Sequence, residues 1–347
     1  YANYMFGLNE PYFLDSDWSL GAQVFNQRYR FDTYTAFYGL VSPSENLALY
    51  SRITSGITVN TAHAVGRWTR LGFEYSLQNI RIDDVAEMFE GFALNQLVGF
   101  SPGGNRETAL SGIIRSEVTP RLTYNTKNQV YGATAGSKFQ IDAAVSGGPL
   151  GGSFSMIKPF VEYQKFFADR WLSRGRHTVA IRTQFMHMLP FGIMPDGNPM
   201  SVPFFERMFM GSEFDLRGFR LRSVTPWALT RTPRLDNSGN PFIDMRTGLP
   251  VITENIIPVG GDTRFLFTVE YRVPVVGPFQ VAAFADLGTT TVLRKNNLTI
   301  FGPNTFIDLL DNTNNVIRMC TGAELQFMMP MVNQPFRLIF SYNPSFF

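Results

Sequence analysis

PFFERMFMGSEFDLRGFRLRSVTP, residues 203–226, is the stretch whose surroundings decide the fold. It carries Glu206, Arg207, Glu213, Asp215, Arg217, Arg220 and Arg222, yet Phe204, Phe205, Phe209, Phe214 and Phe219 are threaded between them. Neither helical nor alternating periodicity fits its second half, so by pattern it is a long loop. A solvated loop has little use for five phenylalanines, whereas a loop folded into a cavity buries them. Arg217, between Leu216 and Gly218, sits on a tight turn that presents its guanidinium to a partner in that cavity. The competing reading is an ordinary surface loop with one arginine.

The chain on either side reads as strands. In 67–82, Leu71, Phe73, Tyr75 and Leu77 alternate with Arg70, Glu74, Ser76 and Gln78. In 18–30, Trp18, Leu20, Ala22 and Val24 face away from Ser19, Gly21 and Gln23. Period two puts apolar side chains on one face and polar ones on the other. Further strands are expected at 1–8, 51–62, 112–124, 133–146, 154–167, 176–189, 262–273, 279–289, 315–328 and 335–343, roughly a dozen in all. A soluble β-sandwich shows the same alternation with its apolar face turned inward, so periodicity leaves the choice open. One segment differs. Val85, Met88, Phe89 and Phe92 fall at helical spacing within 83–97, with Asp83 and Asp84 placed to cap the start. It reads as a short helix in a loop, packed on its own barrel.

The connections arbitrate. Short ones (9–17, 63–66, 125–132, 168–175, 274–278, 329–334) alternate with 31–50, 82–111, 190–261 and 290–314, which are long; 147–152 is the one short member of the second set. Long connections gathered on one side are the signature of an outer-membrane barrel, and a sandwich has no reason to sort its loops so. Composition agrees. Of 347 residues, 17% are charged and 14% aromatic, including 33 Phe and 13 Tyr; soluble domains usually carry ~25% charge. No apolar run reaches the ~18 residues of a transmembrane helix, and a barrel needs none. The net charge of +2 gives no footprint for nucleic acid. Cys320 is the single cysteine, and His63, His177 and His187 lack metal-ligand spacing or a GxSxG partner, so no metal, cofactor or catalytic set is expected. A start at Tyr1, without Met or leader, reads as a mature chain or a fragment.

At LRGF, 216–219, the loop resembles the sixth extracellular loop of the BamA-type outer-membrane protein assembly factors and their wider superfamily, whose tip is Arg-Gly-Phe. NEPYF at 9–13 is similar to the family's early periplasmic turn, and PFFERMFMG at 203–211 to the approach to its long loop. AFADLGT at 283–289 resembles its Phe-x-Asp-x-Gly strand, and 317–342 its penultimate hairpin. Together these span essentially the whole chain. The resemblance implies an all-β, antiparallel transmembrane barrel of sixteen strands with the long loop folded into its lumen. By this register, residues 1–347 form one barrel domain that begins in the fourth strand and ends with the fifteenth, incomplete at both ends. Phe347 is therefore not the terminal aromatic of a sorting signal, and the family's upstream POTRA repeats are not included.

The resemblance further implies that Arg217, with Gly218 and Phe219, meets acidic side chains on two neighbouring strands. Parity tests that implication independently. Phe265, Phe267, Val269, Tyr271 and Val273 share one face, and Arg264, Thr268, Glu270 and Arg272 the other, which puts Glu270 in the lumen. Asp286 lies opposite Val281, Ala283, Ala285 and Leu287 and is the first candidate for a two-pronged carboxylate contact, with Glu270 second. Phe284 interrupts that polar face. Glu324, Arg318 and Arg70 read as ordinary lumen residues, and Cys320 as a small lumen filler. The implied function is non-enzymatic: folding and inserting client β-barrels into the bacterial outer membrane by templating their strands at a lateral seam. Implied partners are unfolded clients, accessory lipoproteins and outer-membrane lipids. A two-partner-secretion or autotransporter-assembly translocator is the alternative within the superfamily. A passive porin-like channel and a soluble ligand-binding β-protein are the alternatives outside it.

Overall fold

The computed structural model describes residues 3–34, 46–101, 111–130, 132–194, 197–234, 241–277, 279–298, 305–329 and 334–344. In chain order the elements are β1 (Tyr4–Glu10), β2 (Trp18–Tyr34), β3 (Asn46–Ala64), β4 (Thr69–Asp83), α1 (Glu87–Phe100), β5 (Ile113–Asn125), β6 (Gly136–Ser146), β7 (Met156–Asp169) and β8 (His177–His187). There follow β9 (Leu189–Pro190), β10 (Trp227–Pro233), β11 (Ile252–Pro258), β12 (Thr263–Pro274), β13 (Phe279–Thr291), β14 (Phe306–Leu309), β15 (Arg318–Met329) and β16 (Gln334–Tyr342).

One antiparallel sheet runs β1-β2-β3-β4-β5-β6-β7-β8-β12-β13-β15-β16, with β9 added against β7. These twelve strands coincide with the twelve segments picked out by alternation. The face each strand turns outward is the apolar one. Val24, Ile57, Phe73, Ile141, Phe185 and Leu338 stand exposed, while Ser76, Thr119, Glu162, Thr268 and Asp286 on the opposite face are buried. A soluble sandwich would hide the first group, whereas a barrel wall presents it to lipid. Among the described residues, no helix is long and apolar enough to cross a membrane.

Four expectations need correction. The β2–β3 ladder continues past a bulge at Phe31/Asp32 to Tyr34 and Asn46, so part of the expected 31–50 connection is strand. The helix starts four residues late: Asp83 still pairs with Ser51, Asp84 takes φ 49°, and the N-cap is Ala86, without a side-chain cap. Phe92 of its expected stripe is buried, together with Ala93, Leu97 and Phe100; the side chains of Met88 and Phe89 lie outside the described residues. The long connections are also not featureless, because β11-β10-β14 form a separate three-stranded sheet. Finally, of the five loop phenylalanines only Phe204 and Phe205 are fully buried, and Phe214 is exposed. Tyr1, Phe347 and segments 35–45, 102–110 and 330–333 of the expected connections lie outside the described residues.

The larger apolar core sits beside the lumen wall. Phe92, Leu97 and Phe100 of α1 pack with Tyr50, Ile80, Ile113, Phe154, Phe204 and Phe205. Edge-to-face contacts link Phe204 to Tyr50, Phe92 and Phe205, and Phe154 to Phe100 and Phe205. Such pairs fix ring geometry as well as burying area. This core anchors the first residues of the 203–226 loop.

Candidate functional site

The loop is built like a pinched hairpin. Met208 exchanges backbone hydrogen bonds with Gly261 (3.0 and 2.8 Å), and Met210 with Val224 (3.0 and 2.9 Å). At its base Glu206 reaches two barrel strands: Arg115 Nη1 of β5 donates at 2.9 Å and Lys158 Nζ of β7 at 3.2 Å. Arg52 Nη1 of β3 donates to Phe205 O at 2.9 Å. Burial alone would raise the Glu206 pKa, but Arg115, Lys158 and Arg52 hold it down at about 2. Arg207 turns the other way and donates to three backbone carbonyls, those of Val202, Val259 and Asn297.

Near the tip, Asp215 Oδ1 accepts from Gly211 N (3.2 Å), Ser212 Oγ (2.9 Å) and Leu216 N (2.6 Å), which ties the turn to itself. Leu216 is buried with Met210, Val224 and Leu266, and Phe219 packs against that group. Between them Arg217 points at the wall. Its Nε and Nη2 donate to the two oxygens of Asp286, each at 2.7 Å, and its backbone N donates to Asp286 Oδ2 at 3.2 Å. Its Nη1 donates to Glu270 Oε1 at 2.8 Å and to Glu324 Oε2 at 2.9 Å. One guanidinium thus joins β12, β13 and β15.

Six charges make up the cluster and they balance. Arg272 donates to Glu270 Oε2 (2.8 and 2.7 Å), and Arg337 donates to both oxygens of Glu324 (Nη2 to Oε2, 2.8 Å). Three arginines therefore face three carboxylates. Desolvating such groups is expensive unless every charge is paired and hydrogen-bonded, and here every carboxylate oxygen accepts at least one bond. Burial would lower the Arg217 pKa, but the hydrogen bonds it donates to Asp286 and the charge of the nearby acids outweigh it and hold the guanidinium charged.

The strand sequences show how room is made. In β13 the inward row is Ala282, Phe284, Asp286 and Gly288, and in β15 it is Cys320, Gly322 and Glu324; register sets Phe284 opposite Gly322 and Asp286 opposite Cys320. The Phe284 ring lies under the guanidinium, 3.7 Å from Cζ to centroid, and completes the cage with a cation–π contact. A Cβ on Gly322 would come within 2.7 Å of that ring, and one on Gly288 within 2.7 Å of Met210 Cε. Gly218 has φ +80°, and a Cβ there would meet Cys320 Sγ at 2.6 Å and Ser341 Oγ at 2.9 Å.

Arg217, Asp286 and Glu270 therefore come together, with Gly218 and Phe219 beside them. Two readings of the sequence are corrected. Glu324 is not an ordinary lumen acid but a fully buried third partner of Arg217. Phe284 is not a blemish in a polar face but the floor of the site, and its very irregularity was the signal. Below the tip, toward the short-turn end, a cavity of about 420 Å³ is lined by Arg182, Phe214, Arg272, Gln280, Gln326 and Arg337. Among the described residues, no group of three His, Cys, Asp or Glu is arranged to hold a metal. The carboxylates converge on Arg217 instead. His63 stacks on Trp18, His177 meets Tyr271 and His187 meets Thr263, each away from this cluster.

Comparison with known proteins gives one consistent result. The Omp85 superfamily domain matches residues 1–344. Over 243 residues the sequence is 24% identical to the outer membrane protein assembly factor BamA of Nitratidesulfovibrio vulgaris, covering 70% of this chain and 26% of that protein. The crystal structure of BamA from Haemophilus ducreyi lacking POTRA domains 1–3 superposes with a TM-score of 0.66 at 18% identity. That match covers 99% of this chain and 58% of the other. The chain thus spans about a quarter of the curated relative's length.

Proposed function

The chain belongs to the Omp85 superfamily of outer-membrane barrels, and from that premise we propose that it is the barrel of an outer-membrane protein assembly factor. Its clients are unfolded β-barrel proteins, which it folds and inserts together with accessory lipoproteins. The chemistry is hydrogen-bond exchange, not bond making. A client strand adds to an exposed sheet edge and satisfies its backbone there before it meets lipid. This needs no nucleotide.

The observation that carries the reading is the lumen loop pinned to three adjacent strands through Arg217. A passive channel gains nothing from a plug fixed by six balanced charges. A machine whose edge must open benefits from a stretch of wall held rigid, because opening then concentrates elsewhere. The loop is in this reading a brace and not an active site. Full-length protein reconstituted in phosphatidylcholine vesicles should speed the folding of a urea-unfolded outer-membrane barrel. A rate equal to that in empty vesicles would contradict the proposal. The translocator reading within the superfamily would instead require secretion of a dedicated exported partner by the same vesicles.

A further inference from the structure

We infer that the β7–β8 hairpin end is a prong that binds the anionic headgroups of phospholipids on the short-turn side of the membrane. This rests on the outer-membrane barrel fold alone and not on the assembly reading. The turn DRWLSRGRH, residues 169–177, exposes Trp171 at 97% and Leu172 at 84% of their surface. Arg170, Arg174 and Arg176 flank them, all exposed, and among the described residues none of the three forms an ion pair. Large apolar side chains so fully exposed call for a cover.

The prong is built to hold that shape. Asp169 Oδ1 accepts from Trp171 N (2.8 Å) and Leu172 N (3.3 Å), and Asp169 O accepts from Gly175 N and Ser173 Oγ, both at 2.7 Å. Ser173 Oγ also accepts from His177 N at 2.8 Å, and Tyr271 Oη of the neighbouring strand donates to Asp169 Oδ2 at 2.6 Å. Arg174 and Gly175 both take positive φ, 54° and 90°, which turns the chain sharply. The one nearby acid is thus used internally, and the cations are left to face outward.

The lipid is chosen over an acidic protein by continuity with the barrel's outer face. Tyr163, Lys165 and Phe167 form the outward row of β7 leading directly to Trp171, while Glu162 and Phe166 point inward. Lys165 is a cation within a lipid-facing row. A lysine there is accommodated by extending its ammonium to the headgroup layer, the layer in which tryptophan also settles. The turn between β1 and β2 is an internal contrast: Tyr12 and Leu14 are exposed there too, but its charges are Glu10, Asp15 and Asp17, with no Lys or Arg in 9–17. The β1–β2 end therefore lacks the cations that selectivity for lipid charge requires, and the β7–β8 end carries three.

The test uses the full-length protein in vesicles of equal parts phosphatidylcholine and phosphatidylglycerol, with one or the other lipid brominated. The Trp171 signal is taken as the difference between wild type and W171F. Brominated phosphatidylglycerol should quench it at least about twofold more than brominated phosphatidylcholine. The selectivity should vanish in R170Q/R174Q/R176Q and, in wild type, at high salt, which keeps the test valid if the triple variant folds poorly. Equal quenching by the two lipids would overturn the inference. So would quenching by neither, which would place the prong in water and open to a protein partner, or selectivity that survives both charge removal and salt. Client folding is not read in this experiment, so its failure leaves the proposed function standing.

Discussion

Arg217 has more partners than a single guanidinium usually finds, and their removal should not be equivalent. Asp286→Ala removes the two-pronged contact and leaves a buried guanidinium against a void, a loss on the order of 3–5 kcal/mol for a desolvated pair. It should loosen the loop and impair client insertion; unchanged protease sensitivity of residues 203–226 together with normal insertion would refute that role. Gly218→Ala tests shape instead of charge. A side chain at φ +80° with Cys320 Sγ at 2.6 Å has no place to go, so thermal stability should fall by about 1–3 kcal/mol. Cys320 is expected to matter by size, and Cys320→Ala should partly rescue Gly218→Ala in the same melt. These residues were legible to different degrees. Asp286 and Glu270 followed from the family resemblance, with parity placing both on the lumen side, but Glu324 did not stand out, because alternation gives a side and not a partner. Only the register that sets Glu324 opposite Ile339 on β16, diagonal to Arg337, and across from Ala282 on β13 brings it under the loop tip.

At the level of elements, the lipid-facing strands were readable because each has one wet and one greasy face, so period two survives in 69–83 or 279–291. The three-stranded sheet was not. The buried row of β10 is Ala228, Thr230 and Thr232 while Leu229 faces the more open side, so its hydropathy does not follow its burial, and its partner β14 lies far along the chain. The start of α1 was misplaced because Asp83 and Asp84 look like caps, whereas the β4 ladder runs through Asp83. The loop base makes a prediction of its own. Glu206 is held at about 2 against an ordinary 4.5, so its folded value is depressed. Its contribution is then complete above roughly pH 4.5 and is lost as pH falls through about 2, a span worth on the order of 3 kcal/mol. Melting temperatures of wild type and Glu206→Gln should therefore converge as pH drops through that window. A difference that stays constant from neutral pH to pH 2 would show that the Arg115 and Lys158 pairs contribute no linkage.

For the whole molecule, the fold ties one sector of the wall, β12, β13, β15 and β16, to a plug, with the remaining wall free of that charge cluster. The plug predicts low conductance for the full-length protein in a planar bilayer, with longer open dwells in Asp286→Ala than in wild type; steady porin-like conductance in wild type would favour a channel. The central claim is that loop and wall are coupled through one buried charge cluster, and a double-mutant cycle on Arg217 and Asp286 tests it most directly. Proteinase K cleavage of residues 203–226 in vesicle-reconstituted full-length protein supplies the readout. Arg217→Ala strands three carboxylates against two arginines, so it should expose the loop strongly. Asp286→Ala should do so as well, and the double variant should be cleaved no faster than Arg217→Ala alone, because the charges balance again. Cleavage rates that simply multiply, or a loop as resistant in every variant as in wild type, would contradict the account.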